Sequence, residues 1–293
     1  MLLRRLLLVL FLLLMTGCVA EQPTRIGKLT VGIVSYDQAA RSIDQYERFR
    51  DYLAAQTKAI VELEPAYNEL NAVEQVQRHN WSIVFAPSGL AAIAINKAQY
   101  VPLFPTRGVN QVRSVIIVRK DSSLQTLGNL TGKVVALGEP GSATGYYLPL
   151  YDLYGLALAE IRFAPTPKTV LEGISQGTVV AGALSEEEYE RYYQNFGQTA
   201  FRILHHTRKS PPGVVLLGPT IERNQQEHIT RVMSKAPLGI ADDAGYIPNA
   251  RVPDYQEFIK LVNKVKPLEI RVHEKPAVLT IKSAGEPISQ PQP

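Results

Sequence analysis

Between residues 28 and 265 short β-branched runs take turns with stretches of helical period, and few folds accept that order. KLTVGIVSY (28–36) precedes a stretch (42–59) in which Tyr46, Phe49, Leu53 and Ala54 recur at helical spacing. IVELEPA (60–66), SIVFAP (82–87), VRSVIIVRK (112–120), KVVALG (133–138), IRFAP (161–165), VVAGAL (179–184) and VVLLGP (214–219) read as further strands. Helical segments fall between most of them, including SGLAAIAINKA (88–98), residues 144–159 and SEEEYERYYQNF (185–196). Two more helices are expected around 222–235 and 254–265. Strands alternating with helices of this length imply an α/β fold with parallel-rich sheets covered on both faces. At roughly 150 residues per domain, 293 residues suit two domains or one domain in two lobes.

In such sheets ligands bind beyond the carboxyl ends of the strands. That singles out Ser35-Tyr36, Ala86-Pro87-Ser88, Gly138 to Ser142 and Ser185-Glu186. The segment after KVVALG is the most informative. It reads Glu139-Pro140-Gly141-Ser142-Ala143-Thr144-Gly145-Tyr146 and leads into a helix. Gly141 permits a tight turn and Ser142 suits an N-cap. A helix start offers unpaired N–H groups and a partial positive charge, and hydroxyls at Ser142 and Thr144 add donors. The set fits an oxyanion or a carboxylate; it equally fits a plain capped connection.

The N-terminus addresses the compartment. Arg4 and Arg5 precede an unbroken apolar run from Leu6 to Met15. That run is too short for a bilayer core of about 30 Å but has the length of a signal-peptide core. It ends in Met15-Thr16-Gly17-Cys18, which resembles the bacterial lipobox, so residues 1–17 are expected to be removed and Cys18 acylated. More than one attached chain would anchor the protein stably. Residues 18–27 then form a polar tether, and the Pro-rich residues 276–293 a disordered tail.

Cys18 is the sole cysteine, which excludes an intramolecular disulfide and a Cys-based zinc site. Of 31 basic residues, loss of Arg4 and Arg5 leaves 29 against 27 acidic, and no Lys or Arg run suggests nucleic acid. His205 and His206 are adjacent, so on a strand they point to opposite faces rather than converge on a metal. Gly128 to Val134 lacks both the spacing and the hydroxyl of a P-loop, and no serine sits in a G-x-S-x-G elbow. No cofactor is expected, and no metal.

RSVIIVRKDSSLQTLGNLTGKVVALGEPGSATGYYLP (113–149) resembles the phosphonate-binding family of periplasmic solute-binding proteins. In that family an "SVIIVRKDS" strand and an "L-x-x-L-x-G-K-x-V-A" segment precede a "G-S-T-S-G" helix start. VGIVSY, SIVFAPSGLAAIA, LEGISQGTVVAGAL and VVLLGPTIERNQQEHITRVM extend the likeness over about 28–262. The resemblance implies a type II periplasmic-binding-protein fold, two α/β lobes joined by two crossing strands and closing on a ligand. Lobe 1 would comprise 28–107 and 221–275, and lobe 2 would be 108–220.

Carried over, the oxyanion contacts fall on Ser142, the Ala143 N–H, Thr144 and Gly145, with Tyr36 and Ser88 facing them from lobe 1. Tyr146, beside the loop, is a further candidate. The chain departs from the pattern at Ala143, which replaces a hydroxyl, and at Ser88-Gly89-Leu90, where the family has an aromatic. Glu186 occupies the place where relatives hold a ligand ammonium, although Ser185 and Glu188 have capping-box spacing. Tyr189, Tyr192, Tyr193 and Phe196 recur at core spacing.

The function so implied is a lipid-anchored, monomeric binding protein on the periplasmic side of a bacterial membrane. It would deliver a phosphonate, phosphite or phosphate to an ABC permease and break no bond. The alternative is a lipoprotein subunit that reports its ligand to a membrane kinase or another envelope partner.

Overall fold

The computed structural model describes residues 27–34, 43–108, 111–197 and 200–281. The leader, Cys18 and Tyr36 lie outside the described residues. Two five-stranded sheets organise the chain. The first uses β1 (Lys28–Val34), β2 (Ile60–Ala66), β3 (Ile83–Ala86), β4 (Val101–Pro105) and β11 (Val214–Leu217), in the order β2-β1-β3-β11-β4. The second uses β5 (Val112–Arg119), β6 (Val134–Leu137), β8 (Glu160–Phe163), β9 (Ala181–Ser185) and β10 (Phe201–Ser210), in the order β10-β5-β9-β6-β8. A two-residue ribbon pairs β7 (Ala157–Leu158) with β12 (Ala277–Val278).

Around β1 and β6 the pairing is parallel, as strand–helix alternation demands. It turns antiparallel at the strands beside the crossings, where β11 pairs β3 and β4, and β5 pairs β9 and β10. The chain leaves the first sheet after Pro105 and returns to it at Val214. The two crossings run side by side, with the Thr106 N–H donating to the Gly213 carbonyl at 3.0 Å.

This arrangement corrects the expected lobe boundaries. The expected lobe 2, 108–220, includes β11, but β11 lies between β3 and β4 in the first sheet, so the second sheet ends at Ser210. The C-terminal part also divides. α7 (Arg223–Ser234) and α8 (Leu238–Ala244) pack on α1 (Glu47–Thr57) and the first sheet. α9 (Gln256–Val265) instead lies across both lobes. It touches α3 (Ser88–Lys97) on one side and α4 (Leu148–Asp152) on the other, with an Asn96–Asn263 hydrogen bond at 3.1 Å and Lys264 donating to the Tyr151 hydroxyl at 3.3 Å.

The expected disordered tail is ordered at its start. Ala277 and Leu279 are fully buried, because the chain after Lys275 adds a strand to the second lobe. Residues 282–293 lie outside the described residues. The helix expected over 144–159 ends at Asp152, and Gly155 turns the chain at φ +93° into β7.

The seam between the lobes is apolar. Every residue from Ser88 to Ala94 is buried, so α3 is covered all round, as its sequence SGLAAIAINK allows. One continuous core joins Leu90 and Ile93 of α3 to Tyr146, Leu148 and Leu150 of the second lobe and to Leu261 and Val265 of α9. Tyr189, Tyr192, Tyr193 and Phe196 are only half-buried, and they pack on the outer core of the second sheet.

Candidate functional site: an interlobe cleft

A cleft of about 360 Å³ opens between the sheets. It is lined at the carboxyl ends of strands from both: Val34, Ala86, Gly138, Ala164 and Ser185. The placement expected for ligands in open α/β sheets therefore holds on each side at once.

On the second lobe the wall is the 138–145 loop. The Ser142 N–H donates to the Glu139 carbonyl at 3.1 Å, which closes the turn. Gly141 has φ +115°, a left-handed value that disfavours residues with a side chain. Ser142 is the N-cap of a π-turn over Ala143–Tyr147 that runs straight into α4, and its Oγ accepts from the Gly145 N–H at 3.0 Å. With that lone pair occupied, the hydroxyl proton of Ser142 is left to donate into the cleft. The Ala143 and Thr144 N–H groups have no acceptor in the described residues, as the first turn of a helix requires. The loop is pinned from behind by Ser114 of β5, fully buried, whose hydroxyl meets the Thr144 carbonyl at 2.5 Å and the Leu184 carbonyl at 3.2 Å.

The first lobe presents a second helix start. Pro87 precedes α3, and its carbonyl accepts from Ala91, so the N–H groups of the first turn face the cleft end. The Ser88 hydroxyl is buried, lines the cleft and has no hydrogen-bond partner among the described residues. The two starts meet closely: a methyl built on Gly89 would lie 2.1 Å from the Gly141 oxygen and 2.5 Å from the Ala143 nitrogen. Two helix ends of the same polarity thus converge on one space, a field suited to negative charge.

Of the residues singled out from sequence, Ser88, Ser142, Ala143, Thr144 and Gly145 are gathered into this cleft. Tyr146 is not. It has no exposed surface, stacks edge-on against Tyr147 at 5.1 Å between ring centres, and burial pushes its hydroxyl, unpartnered among the described residues, above its ordinary range. The helical turn that aims residues 142–145 at the cleft rotates the next side chain into the seam.

Glu186 is also absent from the lining and stands 3.4 Å from His206 Nδ1. Its neighbours Glu187 and Glu188 reach the cleft instead. Glu188 closes the expected capping box, accepting from the Ser185 N–H at 2.9 Å while its own N–H donates to Ser185 Oγ at 3.0 Å, and burial pushes its carboxyl up. The two histidines part as their spacing requires, with His205 Nε2 at 2.8 Å from Asp152.

Glu69, Arg107 and Ser114 carry no strand-end position or motif that singles them out in the sequence. Glu69 opens α2 (Glu69–Gln77), is buried, and abuts Gly141, whose added Cβ would come within 2.9 Å of Glu69 Cβ. Arg107 lines the cleft but is bonded to Asp242. Glu139 lies in the strand-end loop 138–142 that the sequence singles out, where a carboxylate follows the strand. Among the described residues no cluster of three His, Cys, Asp or Glu could hold a metal, and no helix is long and apolar enough to cross a membrane.

The fold has solved counterparts. A Xanthomonas citri protein, solved with ATP, superposes with a TM-score of 0.68 at 19% identity, covering 82% of this chain and 98% of that one. The binding protein component of an ABC phosphonate transporter from Pseudomonas aeruginosa gives 0.63 at 14% identity over 84% of this chain and 88% of that one. PhnD1 from Prochlorococcus marinus, in complex with methylphosphonate, gives 0.63 at 16% identity over 81% and 97%. At these identities the likeness establishes the fold, the two-lobed type II periplasmic-binding-protein architecture. No curated protein sequence matches the chain. The family model for the periplasmic substrate-binding protein of the phosphonate ABC transporter, however, matches residues 31–246, most of both lobes. This chain therefore belongs to the phosphonate ABC-transporter family of periplasmic substrate-binding proteins, components that bind a small ligand for a permease and are not enzymes.

Proposed function

We propose that the protein is a lipid-anchored member that captures a small tetrahedral oxyanion of phosphonate, phosphite or phosphate type and passes it to its ABC permease. The observation that carries this reading is the convergence of the Ser88 and Ser142 helix starts on one cleft, with a buried hydroxyl that has no partner. Ser142 and Ser88 donate hydroxyl protons, and the Ala143 and Thr144 N–H groups supply the rest. Tyr36 completes the first-lobe wall in this reading. Closure is a rotation of the two sheets about the paired crossings near Thr106 and Gly213. Acylated Cys18 holds the monomer at the membrane, on the periplasmic side.

A thermal-shift screen with phosphonates, phosphite, phosphate, sulfonates and carboxylates tests the ligand. A ligand at 100 times its Kd adds about 2.7 kcal/mol, a rise of roughly 5–10 °C for a chain of this size. The shift is expected with a phosphorus oxyanion and should be lost in Ser142→Ala, because hydrogen bonds to charged groups contribute roughly 1.5–3 kcal/mol. An unchanged affinity in that variant rejects the site. Metabolic labelling with a fatty acid, lost in Cys18→Ala, tests the anchor separately.

A further inference from the structure

We propose that the Glu139 carboxylate selects ligands whose oxyanion head still carries a proton, and so sorts phosphonate- or phosphite-type monoanions from sulfonates. The proposal rests on the oxyanion reading above and names the chemical form that the site accepts.

Glu139 is the first residue of the turn that forms the anion loop, and its own carbonyl receives the Ser142 N–H at 3.1 Å. Glu139 is among the residues that line the cleft, and its Oε2, screened from solvent, has no hydrogen-bond partner among the described residues. A buried carboxylate oxygen without a donor is costly, so the missing donor is one that the ligand brings. The same loop offers the opposite chemistry at the Ser142 hydroxyl proton and the Ala143 and Thr144 N–H groups, which are left to donate. A head group seated there must accept along one side and donate along the other. A tetrahedral acid that keeps one P–OH does both, whereas a sulfonate presents only acceptors and sets an oxygen lone pair against Glu139.

The charge of the walls points the same way. Glu69, Glu139, Glu187 and Glu188 line the cleft, Glu187 paired with Arg191 and Glu188 held in its capping box, and Arg107, the cation among the described lining residues, is bonded to Asp242. A dianion would meet helix-start N–H groups but no uncommitted cationic side chain among those residues, with the Glu139 carboxylate beside it. A monoanion that shares its proton with Glu139 avoids that repulsion.

The test is calorimetric titration of the purified protein with methylphosphonate and with methanesulfonate, which match in shape, at several pH values from mildly acidic to basic. Wild type is expected to prefer methylphosphonate by about 10- to 100-fold, reflecting the one charge-assisted hydrogen bond to Glu139 that the sulfonate cannot make. Its affinity should then fall about tenfold per pH unit above the second ionisation of the ligand, which for phosphate esters lies around 6. Glu139→Gln, whose amide can donate, should collapse the preference by tenfold or more and flatten the pH slope. Glu139→Asp keeps the charge and should retain the slope at weaker affinity. A wild type that binds both acids equally, or without a pH slope, overturns this proposal alone. So does a Glu139→Gln defect confined to aminoalkyl phosphonates, which would make the carboxylate an ammonium partner. Wild type that binds no oxyanion of the panel overturns the functional reading and this one together.

Discussion

Gly89 of the first lobe and Gly141 of the second touch backbone to backbone: a Cβ added at Gly89 would stand 2.1 Å from the Gly141 oxygen. Neither neighbour is a flexible side chain that could swing aside. The contact sets the spacing of the two helix starts, and through it the width of the cleft between them. Gly89→Ala gains helix propensity of up to about 1 kcal/mol but must separate the lobes or shift the loop, an overpacking cost of roughly 1–3 kcal/mol. The expected result is lower stability in urea together with loss of the ligand-induced thermal shift. A variant that binds normally would show that the lobes do not need this approach.

Ser88 gives an opposite signature. Its hydroxyl is buried without a partner, so removing it from the free protein relieves an unmatched group. Ser88→Ala should leave the unliganded melting temperature unchanged or slightly raised while weakening oxyanion binding about tenfold. Differential scanning fluorimetry with and without ligand reads both effects in one experiment.

Tyr146 should behave as a core residue. Its ring is fully buried and its hydroxyl is unpartnered, so Tyr146→Phe is expected to be neutral or stabilising and to leave ligand affinity within twofold. A large affinity loss would return Tyr146 to the cleft.

Leu279 tests whether the C-terminal strand is structural. It is fully buried, its N–H donates to the Leu156 carbonyl at 2.9 Å, and it belongs to the seam core. Leu279→Ala should cost about 2–5 kcal/mol, the range for truncating a buried leucine. Chemical denaturation that detects no change would show the segment after Lys275 to be dispensable.

Glu269 supplies a pH dependence. It lies behind the 138–145 loop beside Lys97 and Lys266, and burial raises its carboxyl above the ordinary range despite those two cations. The folded state therefore holds this proton more tightly than the unfolded chain does. Its contribution is present below the ordinary carboxylate pKa and is lost as pH rises through the higher folded value. Glu269→Gln should be less sensitive to pH than wild type across that window, as melting curves collected from pH 4 upward would register. Parallel curves for the two proteins would remove Glu269 from the account.

The order of strands and helices, the Gly141 turn, the Ser142 cap and the Ser185–Glu188 box were legible in the chain, and all are local. Periodicity and capping depend on residues a few positions apart, so the sequence alone carries them. It could even place the candidate site, because strand ends in an α/β sheet are marked by the turn residues that follow. Other features depend on residues far apart in the chain. The membership of β11 follows from its hydrogen bonds to β3, more than a hundred residues earlier, and the burial of Leu279 follows from a strand pairing with β7. Tyr146 differs from Thr144 by a rotation along a helix that the packing of α3, α4 and α9 fixes, and Glu186 from Glu187 by a rotation of a helix packed on β5 and β9. Local preference wrote the elements of this protein, and burial between distant segments decided which side chains reach the space between its lobes.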